Sequence, residues 1–262
     1  MELSLDGRKV YAASGGRAFD PALPTVIFVH GAAMDHTAWM LQSRYFAHHG
    51  HNVLALDLPG CGRSDGPMPE TIEAFADWLL RLLDAAELER ATLVGHSMGA
   101  LISLAAAAAA PDRIEKLVLM GVAVPMPVND AFLDAARRND HLAIELMNDW
   151  AHGRAAHIGG CKIPGIWMIG GDMRLVERAK PGVLHDCLKL CDDYGTGQEA
   201  AAKIRCPVLI VAGDRDMMTP AKSAKALAKQ IETADVSVIA NCGHIMMIEQ
   251  PDAVLDALKS AI

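Results

Sequence analysis

The chain has 262 residues, 52% hydrophobic and 21% charged, with a formal net charge of −8. An acidic balance with no basic run argues against nucleic acid and anionic membrane as partners and leaves a small-molecule substrate as the expectation. Six cysteines (Cys61, Cys161, Cys187, Cys191, Cys206 and Cys242) follow no zinc-finger or disulfide-framework spacing. Reduced thiols are expected from that pattern. The opening Met1-Glu2-Leu3-Ser4-Leu5-Asp6 lacks the basic-then-apolar build of a signal peptide, so a cytoplasmic protein is expected.

Glu2–Leu5 and Lys9–Ala13 flank Asp6-Gly7, the pattern of two antiparallel strands joined by a tight turn. Thr25–Val29 is an unbroken β-branched and aromatic run, as in a strand buried on both faces, and it ends in His30-Gly31-Ala32-Ala33. Trp39–His49 reads as a helix and Asn52–Leu56 as the next buried strand, ending in the turn-rich Asp57–Ser64. Apolar residues at Ile72, Phe75, Ala76, Leu79 and Leu83 predict a helix over Thr71–Ala86.

Ala91–Pro111 contains no Asp, Glu, Lys or Arg. A membrane span of about 20 residues is the arithmetic alternative, but Gly95-His96-Ser97-Met98-Gly99 breaks the run in its middle. The preferred reading is a strand, Ala91–Val94, turning at once into a helix, Ala100–Ala110, stopped by Pro111. Only a very tight turn joins them. Gly95 and Gly99 stand where a Cβ would meet neighbouring backbone. Ser97 is thereby held in a strained conformation with its hydroxyl clear of the main chain, as in the nucleophile elbow G-x-S-x-G. The amide of Met98, first in the helix, points beside it and is a candidate oxyanion donor.

Lys116–Met120 is a further strand. From Gly121 to Ala202 the rhythm changes: helical pieces at Asp130–Asn139 and Leu142–Trp150 alternate with glycine-rich loops at Gly159-Gly160, Gly170-Gly171 and Gly195–Gly197. An inserted helical lid over 122–202 is expected, on a core formed by 1–121 and 203–262. The core resumes with strand Pro207–Ala212, helix Pro220–Ile231, strand Val236–Ala240, loop Asn241–Met247 and helix Pro251–Ala261. Strands alternating with helices predict an α/β fold with a doubly wound, mostly parallel sheet.

Such sheets present their chemistry at the carboxyl ends of the strands. Ser97 follows one strand, Asp214 and Asp216 another, and His244 the last. An imidazole is needed to take the serine proton, and a carboxylate to hold the imidazole; by position alone Asp214 and Asp216 both qualify. The order Ser, Asp, His is that of the α/β-hydrolase superfamily, which this chain resembles over nearly its whole length. The resemblance rests on His30-Gly31, Asp57-x-Pro59-Gly60-x-Gly62-x-Ser64, Gly95-x-Ser97-x-Gly99, Gly213-x-x-Asp216-x-x-x-Pro220 and Gly243-His244.

The resemblance implies an eight-stranded sheet and a catalytic Ser97, Asp216 and His244, selecting Asp216 over Asp214 by its register from Gly213. It places the second oxyanion donor at the Ala32 amide and gives His30 and His96 a role in shaping the loop and the elbow. It implies cleavage of an ester, thioester or lactone with no cofactor and no metal. Methionines and tryptophans at Met126, Met147, Trp150, Trp167, Met168, Trp39, Met217, Met218, Met246 and Met247 suggest an apolar pocket. Carbon–carbon bond hydrolases of the meta-cleavage type are the runner-up; they carry asparagine before the nucleophile and tryptophan after the histidine, where this chain has His96 and Ile245. Cofactor-free haloperoxidase or perhydrolase chemistry, and a ligand receptor on the same scaffold, are further readings.

Overall fold

The computed structural model describes residues 1–262. The expected strands form one sheet: β1 (Glu2–Leu5), β2 (Arg8–Ala13), β3 (Thr25–Val29), β4 (Asn52–Leu56), β5 (Ala91–His96), β6 (Ile114–Met120), β7 (Val208–Gly213) and β8 (Ala234–Ile239). Their spatial order is β1-β2-β4-β3-β5-β6-β7-β8. The β1/β2 and β2/β4 pairs are antiparallel and the rest parallel. Every residue of β3, β4 and β5 is buried, as their unbroken apolar runs require when helices cover both faces.

Between the strands lie α1 (Met40–Ala47), α2 (Ile72–Ala85) and α3 (Met98–Ala109). The β6–β7 connection carries α4 (Asp130–Arg137), α5 (His141–Ala151), α6 (Arg154–His157), α7 (Met168–Glu177), α8 (Val183–Asp193) and α9 (Gly197–Ala201). After β7 come α10 (Ala221–Ala228), α11 (Met246–Glu249) and α12 (Pro251–Ala261). Local chemistry starts several of them. Thr71 caps α2 by accepting from the Ala74 N–H, Asn129 caps α4 and Asp140 caps α5. Helix α2 buries Ile72, Phe75, Ala76, Leu79 and Leu83, the apolar stripe read from its period.

The run without charges is resolved by burial. β5 and α3 account for Ala91–Ala109, α3 is 12 residues long, and the first ten of these are buried. No helix is long and apolar enough to cross a membrane. The strand is longer than expected: Gly95 and His96 stay in register with Leu119 and Met120 of β6. Since α3 opens at Met98, one residue, Ser97, makes the whole turn.

Gly170 and Gly171, expected in a loop, lie inside α7. Each glycine costs a helix about 1 kcal/mol against alanine. Here a side chain explains the first: a Cβ on Gly170 would sit 2.2 Å from the Trp167 ring, which lies across the helix at that point. Helix α8, whose buried side combines Val183, Cys187, Leu188, Leu190 and Cys191, gave no clear start signal, since its N-cap is Gly182 at φ 89°.

Candidate active site

At the carboxyl ends of β3, β5, β7 and β8 the loops converge on a cavity of about 280 Å³. Ala32, His96, Ser97 and His244 line it, facing Phe132, Met147 and Trp150 from α4 and α5.

Ser97 has φ 54° and ψ −119°, a region that non-glycine residues rarely occupy and that costs on the order of 1–3 kcal/mol. The surrounding backbone leaves no other path. A Cβ on Gly95 would lie 2.3 Å from the Gly99 carbonyl oxygen, and one on Gly99 would lie 2.2 Å from that of Val29. The two glycines therefore let α3 start against β3 and β5, while the Ser97 N–H donates to Met120 O at 2.9 Å. As the first residue of α3, Met98 has no intrahelical acceptor for its N–H, and the Ala32 N–H likewise makes no backbone hydrogen bond.

Asp216, not Asp214, meets His244. Its Oδ2 lies 2.8 Å from His244 Nδ1. Oδ1 accepts the N–H groups of Met218 (2.9 Å) and Thr219 (2.7 Å), and the Thr219 hydroxyl donates to Oδ2 at 2.7 Å. Burial raises the Asp216 pKa, but the attraction of His244 and these hydrogen bonds outweigh it and hold the carboxyl below its usual range. An ionised carboxylate only accepts, so Nδ1 is the donor in this bond and Nε2 is the ring nitrogen left to face the cavity. That Nε2 is buried and has no hydrogen-bond partner in the protein. Asp214 instead caps the turn, accepting from the Cys242 N–H at 3.2 Å. Its Oδ1 is 3.8 Å from Arg215.

The His244 loop is braced from three sides. Ala151 O, at the end of α5, accepts the His244 N–H at 2.5 Å. His96 Nε2 donates to His244 O at 2.9 Å. Buried Glu249 accepts from the Gly243 N–H at 3.1 Å and the Gly153 N–H at 2.9 Å, tying the loop to the β6–β7 insertion. Burial, then repulsion from His244, pushes His96 down to about 3, so this brace stays neutral. His30 donates from Nδ1 to Gly31 O (2.8 Å) and accepts the Leu58 N–H at Nε2 (3.0 Å), joining the ends of β3 and β4.

Asp57 is a structural residue of the same kind. It accepts from the His36 N–H, His36 Nδ1 and the Arg63 N–H at 2.7, 2.7 and 2.8 Å. The ligand atoms of Asp35, His36 and Asp57 lie within 4.8 Å of one another, the spacing of a metal cluster. Both carboxylates are already taken up, however, Asp57 as described and Asp35 by Thr37 and Arg178. All six cysteines are free. Burial pushes the thiols of Cys191, on the cavity wall, and Cys242 upward, away from the reactive thiolate.

Sequence reasoning missed several contributors. Thr219 had a local signal, a threonine three residues after an aspartate in a turn, whose N–H and hydroxyl both reach back to that carboxylate. Glu249 and the Ala151 carbonyl had none, because the bonds that tie the His244 loop to the insertion, Glu249 to Gly153 and Ala151 to His244, span 96 and 93 residues of the chain. Of the expected pocket residues, Met126, Met147, Trp150, Met217 and Met218 do line the cavity. Trp39, Met246 and Met247 do not: all three are fully buried in the core. Trp167 and Met168 line a separate cavity.

His152, one residue beyond α5, was also overlooked. It donates from Nδ1 to Asn148 O at 3.1 Å, and burial pushes it down to about 4. Because this folded-state value lies below the unfolded one, the unfolded chain binds the proton first, and stability falls as pH drops from about 6.5 toward 4. Comparing His152→Gln with the parent cancels the opposing contributions of Asp172 and Glu249. In urea titrations between pH 6.5 and 4.5, the parent's stability should fall more steeply than the variant's, by up to about 1.4 kcal/mol per pH unit. Parallel curves would contradict a buried neutral imidazole.

Residues 26–257 match the profile of the Alpha/beta hydrolase family. The chain is 30% identical to a putative carbamate hydrolase, RutD, of Caulobacter sp. (strain K31), over 91% of this chain and 90% of that protein. It is 26% identical to a 2-hydroxymuconate semialdehyde hydrolase of Pseudomonas sp. (strain CF600), over 86% of this chain and 81% of that protein. Among solved structures, a thermophilic esterase superimposes with a TM-score of 0.83 at 25% identity, covering 99% of this chain and 95% of that one.

Proposed function

Because the chain belongs to the alpha/beta hydrolase family, we propose that it is a serine hydrolase cleaving a carboxylic ester, thioester or lactone through an acyl-enzyme on Ser97. The observation that carries this reading is the Asp216–His244 pair at 2.8 Å, which leaves an unpartnered Nε2 in the cavity that Ser97 also lines.

In this reaction His244 Nε2 takes the Ser97 hydroxyl proton as Oγ bonds to the substrate carbonyl carbon. The carbonyl oxygen becomes an oxyanion, held by the Ala32 and Met98 N–H groups, the latter aided by the positive end of the α3 dipole. The imidazolium faces ionised Asp216, which stabilises it without taking the proton. His244 then gives the proton to the leaving oxygen or sulfur as its bond to carbon breaks. Water loses a proton to the same Nε2, attacks the acyl-enzyme, and releases the acid and the free serine.

The strained Ser97 backbone holds the side chain clear of β5 and α3 at the cavity, and rotation about χ1 is the one movement left to bring Oγ to His244 Nε2. The apolar wall from Phe132, Met147 and Trp150 suits a small to medium acyl or alcohol group. We take 122–202 as the lid that supplies this wall.

A second reading is carbon–carbon bond hydrolysis, favoured by the similarity to the 2-hydroxymuconate semialdehyde hydrolase. His96 and Ile245 stand against it. His96 spends its Nε2 proton on the His244 carbonyl, so it offers the substrate no N–H, and Ile245 contributes no polar group. Assaying a simple activated ester beside a vinylogous diketone acid separates the two. The ester is expected to be favoured by at least about 100-fold in kcat/KM. The reverse preference would assign the chain to carbon–carbon cleavage.

A further inference from the structure

A second cavity of about 210 Å³ lies beside the first, and the chemistry above does not use it. Met34 lines both cavities, and Ile245, next to His244, lines the second. Its wall is largely apolar, including Ile166, Met168, Leu175 and Ile248, and it reaches the surface where Met40 and Trp167 are 53% and 72% exposed.

Asp172, on α7, is the anomaly in this wall. It is only 7% exposed, and its buried Oδ2 has no hydrogen-bond partner within the protein. Buried polar groups are nearly always satisfied, so an unpartnered carboxyl on a cavity wall calls for a partner from outside the chain. The two arginines at the same cavity do not supply one, since Arg174 pairs with Glu177 and Arg178 with Asp35.

We propose that this chamber receives an apolar arm of the substrate ending in one neutral hydroxyl, and that Asp172 is the residue that selects it. The polar groups around the cavity define the class. An anionic arm would face the Asp172 carboxylate, and a purely apolar one would leave its buried Oδ2 without a donor. Burial pushes Asp172 up to about 7, against the attraction of His244, so near neutral pH it can offer both an O–H donor and a carbonyl acceptor. A hydroxyl complements both. Met34, unbranched and flexible, is the partition that a long arm would displace.

This inference rests on the ester-cleaving reading, and its test separates the two. Two ester pairs are compared: para-nitrophenyl hexanoate with its ω-hydroxy analogue, and hexyl acetate with its ω-hydroxy analogue. They place the hydroxyl on the acyl or on the alcohol arm. In the parent, the hydroxylated member of one pair should have the higher kcat/KM, by about tenfold, with the difference in KM. Asp172→Leu should invert that ratio. Independently of turnover, Asp172→Leu and Asp172→Asn at pH 8 should both unfold about 3 °C or more above the parent, because an unpartnered buried carboxylate has been removed.

Turnover of none of the four esters would overturn the ester reading alone, and the thermal shift would then decide the role of Asp172. Ester turnover with the same hydroxyl ratio in parent and Asp172→Leu would overturn the chamber. So would a lower unfolding temperature in both variants, the mark of a structural carboxylate.

Discussion

Ser97→Ala is expected to reduce turnover of activated esters by a factor on the order of 10⁴ or more while leaving the protein folded. The large effect follows from the covalent step: without Oγ no acyl-enzyme forms, and what remains is water attack on a carbonyl held by the Ala32 and Met98 N–H groups. The small structural effect follows from local geometry. The turn is imposed by Gly95, Gly99 and the hydrogen bond from the Ser97 N–H to Met120 O, and alanine keeps all three. Steady-state kinetics and thermal unfolding of the same preparation check both halves. Undiminished turnover would remove Ser97 from the reaction, and loss of the fold would show that the hydroxyl has a structural duty.

Asp216→Asn is expected to cost on the order of 10³–10⁴-fold in kcat with little change in KM. Here the argument is one of proton placement. The asparagine carbonyl oxygen would keep the Met218 and Thr219 N–H bonds now made by Oδ1, which turns the amide nitrogen toward His244. An N–H group facing Nδ1 makes Nδ1 the acceptor, so the ring proton moves to Nε2 and the base is lost. Asp214→Asn is the control. That side chain accepts from the Cys242 N–H in a partly exposed turn and makes no contact with His244, so kcat should stay within about twofold of the parent. Equal losses in the two variants would contradict the assignment of Asp216.

What could be read before the structure was local, or repeated along the strands. The β5–Ser97–α3 turn was legible because its glycines, its apolar strand and its alanine-rich helix are contiguous, and each constrains the next. Ser97, Asp216 and His244 could be proposed because each closes a strand-like run at the same edge of a parallel sheet. The choice between Asp214 and Asp216 needed the family register, since both sit in one turn and only their directions differ.

The insertion between β6 and β7 was less legible. Its helices pack through contacts distant in sequence, and Gly170-Gly171 reads as a loop until the Trp167 ring is seen lying across it. Methionine and tryptophan could not be divided by composition into core and cavity. Trp39, Met246 and Met247 went to the core, whereas Trp167 went to the surface. Asp172 gave no sequence signal at all, because a carboxyl on a helix is ordinary until its burial is known.

The central claim is that Ser97 is made nucleophilic by His244. Treating the folded protein with a fluorophosphonate probe, then measuring intact mass and mapping the labelled peptide, tests it most directly. One adduct per chain on Ser97, absent from His244→Ala and from denatured protein, is the expected result. No adduct, or an adduct on another residue while ester turnover continues, would contradict it.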